Sequence, residues 1–337
     1  MRGYVDACSR SLVAGWAIGD DDVPAELIAE VDSAVAGRFT ADSIRADLKQ
    51  PCAFSFRFNN VLDYSAQKVR VYFASTGQDL TNSPFDLKHK LTRLGSAELA
   101  WAEQIEMPDT AEMQRIGSGD SEMFLQQGTR MAKVLAENIT EFFGHVPPDL
   151  KILDFGCGVG RVLLPLVNLV DAQWHACDVN DRAIDYLSRT VPKARVTVSD
   201  YHPPLPFADN TFDCVYSISI WTHLPVALQL PWLIEIRRVL RPGGLAMIST
   251  AGPHVVNVRR ERGDPGWQEL FPEDLAESGV IFRPYGYGGL PGIDAPYGLT
   301  AHDTSFISRV WGQIMILLMT RPRAIEAMQD LHVLTKI

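Results

Sequence analysis

Hydrophobic and polar positions change rhythm along this chain. From Met1 to about residue 90 they alternate in short bursts: GYVDA, SLVAGWAI, AELIAEVD, AVAGRFT, CAFSFRF and KVRVYFAS, divided by polar turns such as GDDDVP. Partial period-two alternation of this kind marks half-buried strands. The spacing predicts an all-β, sandwich-like domain of roughly six or seven strands. Between residues 91 and 149 the pattern turns helical. LGSAELAWAEQIE predicts a short helix. SEMFLQQGTRMAKVLAENITEFFG predicts a longer amphipathic one, with Ser121 as N-cap and Phe124, Met131, Leu135, Ile139 and Phe142 along one side. Gly144 and Pro147-Pro148 end it. Beyond residue 150, five apolar segments read as strands: KILDF, WHACDVN, ARVTVSDY, FDCVYSISI and LAMISTAG, the last after the turn RPGG. DTSFISRVWG reads as a helix, and GQIMILLMT with DLHVLTKI as a hairpin closing the sheet with an antiparallel edge. Strands separated by helical segments predict a doubly wound α/β sheet.

The run KILDFGCGVGR, Lys151 to Arg161, carries the first chemical signal. A buried strand with Ile152 and Leu153 delivers an acid, Asp154, then Gly156, Gly158 and Gly160, then the helix-opening stretch VLLPLVNLV. Glycine is needed where the backbone takes positive φ or lies directly against a ligand. Strand, glycine turn and helix together make the nucleotide-binding corner of a doubly wound fold. The spacing is GxGxG, with Arg161 where GxGxxG would place its third glycine. That counts against a dinucleotide pyrophosphate and against hydride transfer from a nicotinamide. Asp154 would repel phosphate, so a positively charged ligand fits better. Asp178 ends the second strand about 20 residues further on, where such folds place a carboxylate for the ribose hydroxyls. Asp200 ends the third strand.

Composition narrows the partners. A net charge of −10 argues against nucleic acid, since phosphate binding needs a basic face. Hydrophobic content of 46% and charged content of 21% are ordinary for a globular protein. The five cysteines form no CxxC pair; Cys177 and Cys214 sit in expected strands and Cys157 in the glycine turn, which suits a reducing cytoplasm. No secretory segment is expected at the N-terminus, and IMILLM is far below spanning length. No HxxH, HExxH or clustered carboxylates stand at ligand spacing, so no metal is expected.

Four separated pieces, DFGCGVG, the acid Asp178, SDYHPPLPFADNTFDCVYSISIWTHLP and RRVLRPGGLAMIST, occur in the order seen in class I S-adenosylmethionine-dependent methyltransferases. The chain resembles that family over roughly residues 120–337. The resemblance implies a seven-stranded Rossmann-like sheet with S-adenosylmethionine as cofactor. It puts the glycine turn (Gly156, Gly158, Gly160) against the methionine part, Asp178 at the ribose and Asp200 with Tyr201 around the adenine, with Asp154 and Val179 also in the cofactor set. Ser217, at the end of the fourth strand, and Arg161 complete the expected cofactor set. Arg161 suits the cofactor carboxylate or an acidic substrate group, or is a solvated helix residue. The resemblance also implies a helix closing over the cofactor, with Phe124 as a candidate and core packing as its rival reading. The expected domains are 1–90, a β module; 91–149, a helical linker and cofactor cap; and 150–337, the methyltransferase domain. The segment GYVDACSRSLVAGWA…AGRFTADSIRADL resembles a β module found beside glycosyltransferases and methyltransferases in bacterial surface-polysaccharide pathways. A folding or oligomerisation module without ligand is the competing reading.

Methyl transfer from a sulfonium needs the acceptor aligned and water excluded, and a hydroxyl acceptor must also lose its proton. A histidine with a pKa near neutral suits that task. Ligands bind at the carboxyl ends of strands in such sheets, so His223, just past the fourth strand in SISIWTHLP, is the leading catalytic base, with a helix-cap role as its alternative. His254, after the fifth strand, and His302, after the Gly-rich loop, are candidate substrate contacts, with Tyr297 from that loop and Trp221. Trp221 suits either a cation–π contact with the sulfonium or the core. His202 goes with the adenine pocket; His145, His175 and His332 read as structural, and His89 lies in the linker. The Gly-, Pro- and aromatic-rich stretch from Gly263 to Thr300 is expected to be a lid or a substrate-facing loop suited to stacking on sugar rings. The resulting expectation is a cytoplasmic enzyme that O-methylates a sugar hydroxyl on a surface glycan or its precursor. Small-molecule or amino-sugar N-methylation, and a cofactor-holding glycan-binding scaffold without turnover, are the alternatives. Homo-oligomerisation is left open.

Overall fold

The computed structural model of the protein describes residues 1–8, 12–20, 23–45, 50–58, 68–86, 94–144, 146–285 and 297–337. His89, His145 and residues 286–296 of the Gly-rich stretch lie outside them. The chain divides into two units, Met1–Thr92 and Arg93–Ile337.

The first unit is all-β. Its strands are β1 (Arg2–Cys8), β2 (Leu12–Ile18), β3 (Ala25–Val31), β4 (Ala34–Ala41), β5 (Ser43–Arg45), β6 (Gln50–Arg57), β7 (Lys68–Phe73) and β8 (Phe85–Asp86). They form two four-stranded antiparallel sheets, β1-β2-β6-β5 and β4-β3-β7-β8. Alternation explains the architecture: β7 buries Val69, Val71 and Phe73 and turns Lys68, Arg70 and Tyr72 outward. Val13, Ala17 and Phe54 from one sheet join Leu27, Ala29, Val71 and Phe73 from the other in a single apolar cluster. The alternating pattern misses β5 and β8, which have three and two residues, too few to show a period.

The second unit begins with helices α1 (Ser96–Leu99), α2 (Thr110–Arg115) and α3 (Ser121–Phe143). The N-cap of α3 is Asp120 rather than Ser121: the Asp120 carboxylate accepts the Met123 N–H at 2.7 Å, and Ser121 is already helical. Phe124, Met131, Leu135 and Ile139 are buried, as the helical spacing requires, and Phe124 is fully enclosed. Gly128 lets the α3 backbone lie directly on the turn after the first sheet strand, since a Cβ there would sit 2.0 Å from the Arg161 carbonyl oxygen.

The central sheet contains β9 (Lys151–Phe155), β10 (Gln173–Asp178), β11 (Ala194–Val198), β12 (Phe212–Ser217) and β13 (Leu240–Thr250). After the two-stranded pair β14 (Val280–Pro284) and β15 (Gly298–His302) come β16 (Ile316–Ile325) and β17 (Gln329–Thr335). The seven-stranded order is β11-β10-β9-β12-β13-β17-β16, with β9 to β13 parallel and β17 antiparallel to both its neighbours. The unit is a Rossmann-like sheet with a mostly parallel core. The expected antiparallel hairpin closes the sheet, with its second strand inside. The interior position goes to β17, whose Asp330 to Leu334 are buried in succession, and the edge goes to β16, which exposes Ile316 and Leu318.

Helices α4 (Leu163–Leu166), α5 (Asp181–Thr190), α6 (Val226–Val239), α7 (Pro253–Glu261), α8 (Pro272–Ser278) and α9 (Thr304–Val310) complete the unit. Trp221, Trp232, Trp311, Phe155, Phe212 and Leu233 anchor its main core. The described part of the Gly/Pro stretch is more ordered than a long loop: Leu270, Leu275, Leu299 and Ala301 pack with Val255 and Val256 into a second small core. That core explains how α8, β14 and β15 arise from a stretch whose composition suggests a loop.

Candidate active site

The site forms at the carboxyl ends of β9, β10 and β12. β9 is buried through Asp154, and the chain then turns with φ of +79° at Gly156, +49° at Gly158 and +78° at Gly160. Packing as well as backbone conformation restricts this turn. A Cβ on Gly156 would lie 2.3 Å from Ile220 Cγ1, and one on Gly160 2.6 Å from Leu187 Cδ2. Gly158 lies under Ile116, at a looser 3.1 Å. Asp178, the last residue of β10, crosses to the turn: its carboxylate accepts the Gly158 N–H at 2.7 Å and the Asn180 N–H at 2.8 Å. Burial raises the Asp178 pKa, while these backbone bonds and the charge of Arg115 pull it down. Asn180 then caps α5 and donates from its side chain to Glu112 on α2 at 2.7 Å, tying α2 to the end of β10.

Asp154 behaves differently from the expectation. It is buried beneath the turn and accepts the Tyr216 hydroxyl at 2.7 Å, and burial pushes its carboxyl up to about 8, which favours the uncharged form at neutral pH. Repulsion of phosphate by Asp154 is therefore no argument against a phosphate ligand. Of the readings open for Arg161, the structure does not fit a solvated helix residue. Its Nη1 donates to the Ile116 carbonyl at 2.8 Å, with Ser118 Oγ and Gln127 Oε1 at 3.4 Å, and its Nε is buried without a partner. Burial lowers its pKa to about 10. The hydrogen-bond acceptors of the guanidinium are all neutral, and the charge of Glu326 also acts on it.

The remaining expected cofactor residues are spread around this turn. Val179 is half-buried just past β10, Asp200 is exposed two residues beyond β11, and Tyr201 is half-buried, its carbonyl taking the Trp232 indole N–H at 3.2 Å. Ser217 ends β12 fully buried, and its hydroxyl has no hydrogen-bond partner.

His223 stands on the turn that follows β12. Its backbone N–H bonds to Ile220, the residue lying against Gly156. Its Nδ1 is 2.8 Å from the Gly298 carbonyl oxygen, which only accepts, so Nδ1 carries the proton and Nε2 holds the free lone pair. The Tyr285 hydroxyl touches the same Nδ1 at 3.0 Å, and the Tyr297 ring stacks on the imidazole at 5.1 Å between centroids. Burial lowers the His223 pKa, the Gly298 bond raises it part of the way back, and the charge of Arg161 lowers it again. His223 is thus held in the neutral, basic form.

The structure does not bring the other candidates to this point. His302 is 1% exposed, with Nε2 bonded to Gln229 at 2.8 Å and the Trp311 ring against it, so it is a core histidine. Trp221 is fully buried with its ring centroid 4.7 Å from that of Trp311, which makes it core as well and takes it away from any sulfonium. His254 lies half-buried in the first turn of α7, beside Ala327. His332 is buried between Thr250 and Thr320, and His175 packs edge-on against Phe212. Tyr285 and the Gly298 carbonyl are site members that the sequence reading missed. Tyr285 stood within the aromatic stretch FRPYGYGG, but nothing local tied it to His223.

A separate cleft of about 710 Å³ runs between α2 and α5, lined by Glu106, Asp109, Glu112, Asp181, Asp185, Tyr186 and others, and it reaches the glycine turn only through Val159. Among the described residues, no group of three or more His, Cys, Asp or Glu could hold a metal ion, and no helix is long and apolar enough to cross a membrane.

Residues 152–244 match a family described as a methyltransferase domain. The chain is 29% identical over 198 residues to a sterol 24-C-methyltransferase of Gibberella zeae, covering 57% of this chain and 47% of that protein. It is 30% identical over 130 residues to a methyltransferase of Streptomyces halstedii, covering 37% and 44%. The chain thus spans less than half the length of either relative. The crystal structure of magnesium protoporphyrin IX methyltransferase from Synechocystis, with bound S-adenosylhomocysteine, aligns at 13% identity and a TM-score of 0.47, over 67% of this chain and 93% of that one. Within the α/β unit, residues 152–244 are thus similar to a methyltransferase domain.

Proposed function

We propose that the chain is an S-adenosylmethionine-dependent O-methyltransferase acting on a sugar hydroxyl of a glycan or glycan precursor. The observation that carries this reading is the Nδ1 bond from His223 to Gly298, which leaves Nε2 basic one turn beyond the residue packed on Gly156. The residues fit the cofactor: a turn of positive φ admits a ligand against its backbone, and the unpaired Arg161 Nε and Ser217 hydroxyl are buried polar atoms in want of partners. Arg161 would hold the carboxylate, Asp178 the ribose hydroxyls, and Val179, Asp200 and Tyr201 the adenine. When bound, S-adenosylmethionine supplies an electrophilic methyl on a sulfonium. The chain's own work is then to align the acceptor, exclude water and accept the hydroxyl proton at His223 Nε2. Tyr285 and Tyr297 keep the imidazole ring in place and offer flat faces to a sugar. The choice of a sugar also draws on the resemblance of the N-terminal unit to modules of surface-polysaccharide enzymes. The reducing cytoplasm is the compartment that suits five cysteines without a CxxC pair.

A second reading, C-methylation of an isoprenoid lipid, is favoured by the sterol methyltransferase relatives. The test is S-adenosylhomocysteine release by purified protein given a glycan-precursor fraction, an isoprenoid and sterol fraction, and an amine-containing metabolite pool. Turnover confined to the first, lost in His223→Gln, is the expected result. Turnover only with isoprenoids, or only with amines and insensitive to His223→Gln, overturns it. Cofactor binding without release in any arm favours a scaffold protein.

A further inference from the structure

Three residues, Ser219, Ser249 and Gln329, close a hydrogen-bonded ring beside the His223 turn. Ser219 lies just beyond β12, Ser249 near the end of β13, and Gln329 opens β17. The Ser219 N–H donates to Ser249 Oγ at 2.8 Å, the Ser249 hydroxyl to Gln329 Oε1 at 2.8 Å, and Gln329 Nε2 back to Ser219 Oγ at 2.9 Å. Each bond polarises the next. Ser219 is held at φ +63°, a conformation that a residue other than glycine keeps only when its neighbours enforce it. Its carbonyl takes the Thr222 hydroxyl at 3.0 Å, and the next residue, Ile220, is the one packed on Gly156. The ring is thus one residue from the glycine turn and four from His223.

Two donors of the ring are left over. The Ser219 hydroxyl proton has only a long 3.3 Å contact to Gln329 Oε1, which already accepts from Ser249, and the second Nε2 proton of Gln329 is not used within the ring. Ser249 is fully buried whereas Ser219 and Gln329 are half-buried, so the accessible side of the ring is the side with these donors. None of the three residues carries a charge. Two neutral donors suit the lone pairs of an uncharged oxygen, and a carboxylate or phosphate would find no cation in the ring to offset its desolvation.

We infer that Ser219 and Gln329 form an acceptor subsite that takes a second, uncharged hydroxyl of a polyol, next to the one presented to His223. The inference rests on the proposed hydroxyl methylation, and it narrows the acceptor to neutral sugars over uronic acids and sugar phosphates. The test uses the full chain loaded with S-adenosylhomocysteine. Neutral methyl glycosides of gluco, galacto, manno and rhamno configuration, with the matching uronates where they exist, are followed by ligand-observed NMR and then as acceptors with S-adenosylmethionine. Ser219→Gly suits the positive φ while removing the hydroxyl, and Gln329→Met keeps the length while removing the amide. The expected result is that a neutral glycoside binds, its uronate binds more weakly, and each variant loses about tenfold in glycoside affinity, as one neutral hydrogen bond implies. S-adenosylhomocysteine affinity, measured by calorimetry, stays unchanged and reports an intact fold. Failure of every neutral glycoside to bind, preference for uronates, or binding indifferent to both variants overturns the inference. Ring-dependent glycoside binding without methyl transfer would instead leave the subsite standing and remove the hydroxyl-methylation reading. Methylation of a glycoside whose KM neither variant alters would do the reverse.

Discussion

The two halves of the candidate site are built on different plans. The cofactor half is contiguous: Asp154, the three glycines and Arg161 follow one another, and Asp178 closes on Gly158 through a single hydrogen bond. The acceptor half is assembled from β12, β13, β14, β15 and β17, with His223 meeting Gly298 and Tyr285, and Ser219 meeting Gln329. A contiguous site is held by backbone conformation, so it fails when one residue loses its φ. A dispersed site is held by side-chain bonds between strands, so it changes by degrees.

That contrast is sharpest in loss of rate. His223→Gln is expected to lower kcat for a hydroxyl acceptor by about 10²–10⁴-fold, the contribution of a positioned general base, with cofactor affinity unchanged by calorimetry. Gly156→Ala attacks the other half: a Cβ at φ +79° and 2.3 Å from Ile220 is expected to weaken S-adenosylmethionine binding by about 100-fold. If that variant instead changed kcat and left affinity alone, the division into halves would be wrong. Asp178→Asn places an amide where two backbone N–H groups point, and about a tenfold loss of cofactor affinity is expected.

Asp154→Asn should act on stability. The folded-state pKa is raised to about 8 from 3.8, so the folded protein binds the extra proton between those values and the stability contributed by Asp154 falls as pH rises through that window. The variant is expected to melt above the native protein at pH 8, with the gain shrinking towards pH 4; a difference that does not change between the two pH values would show that the Asp154 pKa is not raised. The smallest effect concerns pH and rate. A His223 pKa lowered from 6.5 keeps the base neutral further into acid, so the acid limb of kcat/KM should lie below pH 6.5. An acid limb above that value would show an imidazole stabilised as a cation.

What could be read from the sequence follows the same division. KILDFGCGVGR disclosed the turn because φ > 0 demands glycine at each of three positions, a requirement written residue by residue. The parallel sheet followed from its apolar segments, and the β unit from alternation in strands such as β7. The acceptor half was mostly illegible. His302 and Trp221 stood at suitable places in the sequence but are fully enclosed, because burial is decided by what packs over a residue from elsewhere in the chain. Gln329 opens a strand far from Ser219 and carries no local signal. Its part appears only once β17 lies against β13.

The interior place of β17 also bears on how the protein is made. β13 is complete at Thr250, yet the partner for its free edge is Gln329–Thr335. At synthesis rates of about 5–20 residues per second, that edge waits on the order of ten seconds for its partner. During that interval the nascent chain presents Leu245, Ala246, Met247 and Ile248, all destined for burial, on an open strand. Such an edge invites strand addition from other chains until Gln329–Thr335 arrives to cover it.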